Sequence, residues 1–181
     1  MTALMISLSP LDVAAKPADK VALVVGNSNY RHAAQLLNPS HDANAIADVL
    51  ESKGFVVIKA IDLDKRALEG TLQQFARILN DAQVGVFFYA GHGMQVGGRN
   101  YIVPVDARLK DSFSVDFELI RLDLVHRTME KAARTNLLFI DACRDNPLLR
   151  DLARSMGTRS ASIGAGLAAM EAGIGTLISF A

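Results

Sequence analysis

Two apolar runs that do not alternate constrain the fold most: VGVFFYA at 84–90 and LLFI at 137–140. A strand with one wet face alternates apolar and polar residues, whereas a continuous run is buried on both faces. Burial on both faces requires helices above and below the sheet, the arrangement made by parallel strands joined through helical crossovers. The rest of the chain supplies the other pieces. VALVV at 21–25, ended by Gly26, reads as a first strand, 55–61 as a second, and GTLISFA at 175–181 as a fifth. Between them, Ala43, Ile46, Ala47 and Leu50 form one helical stripe after an Asn38-Pro39 start, with Gly54 as its stop. Leu68, Leu72, Phe75, Ala76 and Leu79 form a second stripe capped by Asp64, and Leu122, Val125 and Met129 a third. Gly97-Gly98 between two short extended pieces signals a hairpin. The fold expected is α/β: a doubly wound, mainly parallel sheet in three α/β/α layers.

At 181 residues the chain suits one domain, and Lys plus Arg balance Asp plus Glu at 19 each, so no global charge draws it to nucleic acid or an anionic membrane. The single cysteine excludes an intrachain disulfide framework and a multi-cysteine zinc site. No apolar run reaches the 18 or so residues of a membrane span. Residues 1–19, with ALMISL and VAAKPADK, read as a disordered leader or a signal remnant, leaving the compartment open between cytoplasmic and exported to a periplasm. The catalytic domain is expected over 20–181.

The chemistry sits where the two runs stop. The first leads into Gly91-His92-Gly93, and the second is followed by Asp141 and Cys143. If the strands are parallel neighbours, both residues reach the carboxyl edge of the sheet, where open α/β sheets hold their sites. A thiol beside an imidazole suits nucleophilic attack on a peptide carbonyl, with the imidazole moving a proton to the leaving amine. Backbone N–H groups of Gly93 and Cys143 are the candidate oxyanion hole, and the flanking glycines are read as leaving room for a substrate backbone. A flavodoxin-like nucleotide binder shares the topology, but GNSNY after the first strand is not a phosphate-binding loop.

YAGHG followed by FIDACRDNP resembles the large-subunit half of a caspase-like cysteine protease of the bacterial metacaspase-related kind; VALVVGNSNY, HDANAIADVL and NYIVPVDA resemble it too. The likeness runs over 20–181, and the 51 positions from His92 to Cys143 are close to the roughly 50-residue caspase separation. The resemblance implies a cysteine endopeptidase with no cofactor, acting on peptide or protein substrates. It implies that Asp42 and Asp141 line the pocket for the residue before the cut. A carboxylate pair there demands arginine or lysine. Caspases that cut after aspartate carry glutamine where Asp141 stands. Ala90 replaces the serine many members have two residues before the histidine. Acids that bind activating calcium in some members have no clean match; Asp106 and Asp111 are the ones at hand. Residues 144–173, basic and rich in serine and glycine, correspond to the inter-subunit loop, with Arg154 and Arg159 as candidate self-cleavage sites. The resemblance would continue past Ala181 into a small-subunit half, so the sheet is expected to be truncated after its fifth core strand, as an excised fragment, a truncated gene product or a half that needs a partner chain. The alternative function is a catalytically weak or non-catalytic regulatory scaffold.

Overall fold

Val21 to Val25 are all inaccessible to solvent, as a run apolar on both faces requires, and they form the centre of β1 (Lys20–Gly26). The computed structural model describes residues 18–143, 152–154, 163–164 and 167–181, and the statements below concern these. Most of the leader at 1–19 and most of the loop at 144–173, with Arg159 and Asp145, lie outside them.

From β1 the chain passes through α1 (Pro39–Ser52) to β2 (Val56–Ile61), then through α2 (Lys65–Leu79) to β3 (Ala82–Val96). It continues through β4 (Arg99–Ile102), α3 (Ser114–Glu118), β5 (Ile120–Arg121) and α4 (Leu122–Ala132) to β6 (Ala133–Cys143). A two-residue β7 (Ile163–Gly164) and β8 (Thr176–Phe180) complete it. Strands β2, β1, β3, β6 and β8 lie side by side in that order, every pair parallel. Ala43 and Ala47 of α1 pack with Val24, Phe88 and Ala90 on one face. Leu68, Phe75 and Leu79 of α2 and Val125 and Met129 of α4 pack with Leu23, Phe87, Tyr89 and Leu138 on the other. Each of the fully buried large side chains among these contributes roughly 1.5–3 kcal/mol. The doubly wound α/β reading holds.

Local signals act as expected at three places. Pro39 stands in the first turn of α1, and Gly54 follows its end with φ +79°. The Asp64 carboxylate accepts from the Ala67 N–H at 2.9 Å, capping α2. Gly97 and Gly98, with φ +58° and +76°, form the two-residue turn that sets Val96 opposite Arg99.

The structure departs from the sequence reading in β3. The apolar run at 84–90 is only the first half of a 15-residue strand that carries on through Gly91, His92 and Gly93. The first half pairs parallel with β1 and β6; the second pairs antiparallel with β4. Backbone pairing, not side-chain polarity, extends the strand, so a polar sequence such as GHGMQ continues it. The strand β6 runs past its apolar residues and ends at Cys143.

A buried polar residue lies within the first part of the β3–β6 pairing. Asn136, 2% exposed, donates its backbone N–H to the Gly175 carbonyl at 2.8 Å and its side-chain N–H to the Ala133 carbonyl at 3.2 Å. Opposite it stands Gly85, where an added Cβ would come within 2.8 Å of Leu79 and 3.2 Å of the Asn136 amide oxygen. The missing side chain at 85 leaves room first for Leu79 and then for the Asn136 amide.

Candidate active site

The parallel register of β3 and β6 pairs Ala90 with Asp141, Gly91 with Ala142 and His92 with Cys143. It thus brings the two residues singled out by sequence to one point at the carboxyl edge of the sheet.

The imidazole of His92 is wholly buried, and its surroundings come from the segment between β1 and α1. Nε2 lies 2.9 Å from the Ala34 carbonyl oxygen. A carbonyl only accepts, so Nε2 carries the hydrogen and Nδ1 is the nitrogen able to take up a proton. The Tyr30 ring lies against the imidazole with centroids 4.4 Å apart and planes inclined at 52°. The His92 backbone is held too: its N–H donates to the Tyr30 hydroxyl at 2.7 Å, and its carbonyl accepts from the Tyr89 hydroxyl at 2.8 Å and the Val103 N–H at 3.0 Å. Burial above all, with Tyr30 alongside, pushes the Tyr89 phenol well above its ordinary range, so it stays a donor.

The β1–α1 segment is itself tied down. Asn27 donates its side-chain N–H to the Val103 carbonyl at 3.1 Å and accepts from the Leu63 N–H at 3.0 Å. Asp62, at φ +55°, accepts from the N–H groups of Ser28 and Asn29 at 2.7 and 2.8 Å. The GNSNY sequence, read above as lacking a phosphate loop and as part of the family likeness, therefore builds the wall of the histidine site. Its signal was Asn27 and Tyr30 directly after an apolar strand, with Tyr89 inside another: buried hydroxyls and amides demand partners.

The glycines beside His92 have a different role from the one expected of them. A Cβ on Gly91 would stand 2.7 Å from both the Tyr30 and the Tyr89 hydroxyl oxygens, and one on Gly93 2.8 Å from the Ala142 Cβ. The room read as space for a substrate backbone is filled by the protein itself. Gly93 keeps its place as a donor candidate. The Val103 N–H donates to the His92 carbonyl, a bond that brackets the 93/102 pair of the antiparallel ladder. That pair then points its N–H groups outward. The Gly93 N–H faces the side of β3 where β6 ends at Cys143.

The acids are placed as follows. Asp42 is half-buried in the first turn of α1, whose Pro39 lies against Gly26. Gly26, Ala90 and Asp141 form one register row, so Asp42 and the exposed Asp141 share the same end of the sheet. Asp141 also borders a cavity of about 340 Å³ lined by Ile46, Val49, Phe88, Phe139 and Ser179. A larger cavity of about 530 Å³, between α2 and α4, includes none of these site residues. Asp106 accepts from the Lys65 N–H at 2.9 Å, and Asp111 from the Ser114 N–H at 2.9 Å, so both bind backbone at helix starts. Among the described residues no three His, Cys, Asp or Glu side chains gather to hold a metal ion. Nor is any described helix long and apolar enough to cross a membrane. Arg154 is exposed in a short helical turn.

Residues 19–173 match the family model described as the caspase domain. The chain is 31% identical over 126 residues to human mucosa-associated lymphoid tissue lymphoma translocation protein 1, and 29% identical over the same length to its mouse homolog. That match takes in 70% of this chain and 15% of either relative, so the chain spans a small part of their length. Among solved structures, a Geobacter sulfurreducens protein superposes with a TM-score of 0.54 at 20% identity, over 68% of this chain and 50% of that one. The Drosophila initiator caspase Dronc gives 0.53 at 10% identity, over 74% and 56%. These two share the fold. With most of its length inside the family model, the chain belongs to the caspase-domain family of cysteine proteases.

Proposed function

We propose that the chain carries the catalytic dyad of a cysteine endopeptidase that cuts after arginine or lysine, with Cys143 as nucleophile and His92 as base and acid. The observation that carries this reading is the register pairing of His92 with Cys143 at the carboxyl edge. Register partners in neighbouring strands share a face of the sheet. In the reaction, the Cys143 thiolate adds to the scissile carbonyl, and the oxyanion is met by the N–H groups of Gly93 and Cys143. His92 then gives its proton to the departing amine, leaving a thioester. Water, losing a proton to His92, hydrolyses that thioester and restores the thiol. Neither step calls for a cofactor. Asp42 and Asp141 supply the negative charge for a cationic side chain before the cut.

One observation favours the weaker alternative, a form that is catalytically poor by itself. His92 has no exposed surface, and a base that must reach a leaving amine has to be uncovered first. The second half of the domain, as a partner, is the proposed source of that rearrangement.

Covalent labelling tests the assignment without requiring turnover, because the chain has a single cysteine. A peptidyl electrophile ending in arginine should label Cys143 at least about tenfold faster than its aspartyl twin, a preference worth about 1.4 kcal/mol. Faster labelling by the aspartyl reagent would show the pocket to be misassigned. The same preference predicts self-cleavage after Arg154 or Arg159 in protein containing the complete domain. Intact-mass measurement beside the Cys143→Ala protein checks it, since cuts that persist without the thiol come from another protease.

A further inference from the structure

We propose that Tyr30 is a positioning residue for the dyad, its hydroxyl and ring together fixing the peptide and the imidazole of His92. The inference rests on the dyad reading above. It is carried by contacts that no strand ladder supplies. At Gly91, φ is +157°, and β3 is passing from a parallel to an antiparallel neighbour. The His92 N–H is met there by a side chain 62 residues earlier, the Tyr30 hydroxyl at 2.7 Å. That hydroxyl lies 3.3 Å from the Val103 carbonyl and 3.3 Å from the Tyr89 hydroxyl. Tyr89 in turn donates to the His92 carbonyl at 2.8 Å. Two phenols thus hold the two ends of one residue's backbone.

The two are not equivalent. The His92 carbonyl has the Val103 N–H as a second donor at 3.0 Å, so losing the Tyr89 hydroxyl leaves it bonded. Tyr30 also touches the ring itself, 4.4 Å between centroids. Four residues on, Ala34 takes the Nε2 hydrogen at 2.9 Å. Backbone, ring face and tautomer of the base are therefore set by one short segment, and Tyr30 contributes two of those three constraints. Loosening the peptide would free the imidazole to rotate away from the strand end where its register partner Cys143 lies.

The test is the pH profile of alkylation by iodoacetamide. The sole cysteine makes the rate a direct reading of the Cys143 thiolate, and Tyr89, held protonated by burial, adds no titration of its own. In the wild-type chain the reactive limb should lie below the ordinary thiol value of about 8.5. Tyr30→Phe, which keeps the ring, should move that limb upward by about one pH unit, cutting the rate on its acid side about tenfold. Tyr89→Phe should shift it less. A purely structural tyrosine would lower the melting temperature without moving the profile. Should Tyr30→Phe fold poorly, 3-fluorotyrosine at position 30 keeps the shape with a weaker acceptor and should shift the limb in the same direction. An unmoved limb in the folded variant, while His92→Gln does move it, overturns the role of Tyr30 and leaves the dyad standing. If wild type and His92→Gln coincide at the ordinary thiol value, the dyad fails and the positioning role with it.

Discussion

Cys143→Ala should lower kcat/KM toward an arginyl peptide by roughly a thousandfold or more, since nothing else in the chain can form the thioester. Its sulfur is the sole thiol of the protein. Loss of His92 should be as severe for turnover, because members of a catalytic unit fail together rather than additively. The two substitutions differ in their effect on folding. His92 is fully buried, in tilted ring contact with Tyr30 and bonded to Ala34, so His92→Ala opens a void and strands a carbonyl. That change should cost about 1–3 kcal/mol of stability, and His92→Gln, nearer in volume, is the cleaner loss of function. Kinetics and thermal melting on the three variants check both statements. Cys143→Ala protein that retained a few per cent of activity would end the assignment.

The largest expected effect on stability is at Gly91. Gly91→Ala should destabilise the domain by about 3 kcal/mol or more, because a Cβ there meets two hydroxyl oxygens at 2.7 Å and the backbone stands at φ +157°. For a chain of this size that is a fall in melting temperature of roughly 6–12 °C. Gly97→Ala is the comparison. Its φ of +58° is just as unsuited to alanine, yet nothing lies within 4 Å of the new atom, so only about 1–2 kcal/mol is at stake. Equal melting temperatures for the two variants would mean that the tyrosines yield readily and do not clamp the peptide.

The contrast between these two glycines also shows what a sequence reveals and conceals. Gly97-Gly98 was legible because a two-residue hairpin needs nothing beyond its own backbone angles. The strands β1 and β6 and the stripes of α1, α2 and α4 were legible for a similar reason, since burial on one or both faces writes itself into local periodicity. His92 and Cys143 stood out because each follows an apolar run, where a polar or reactive side chain has no packing role. The purpose of Gly91 was hidden, since the atoms that exclude a side chain there belong to Tyr30 and Tyr89. What was hidden is that the first piece of that hairpin continues the parallel strand without a break, since pairing with β4 and not composition carries β3 onward. The segments α3 and β5 are too short, at 5 and 2 residues, to carry a periodic signal.

Asn136 gives the active site a dependence on distance. A strand pair is rigid along its axis and its side chains repeat every second residue, so an offset introduced at one end arrives undiminished at the other. The seven steps from Asn136 to Cys143 span roughly 23 Å of extended chain. Over that span the register that opposes Asn136 to Gly85 also opposes Cys143 to His92. A slip by one position would present Ala142 or Arg144 to the imidazole while leaving the apolar composition of the sheet unchanged. Alignment of the proposed dyad is thus a translational property, shared along the register of one strand pair.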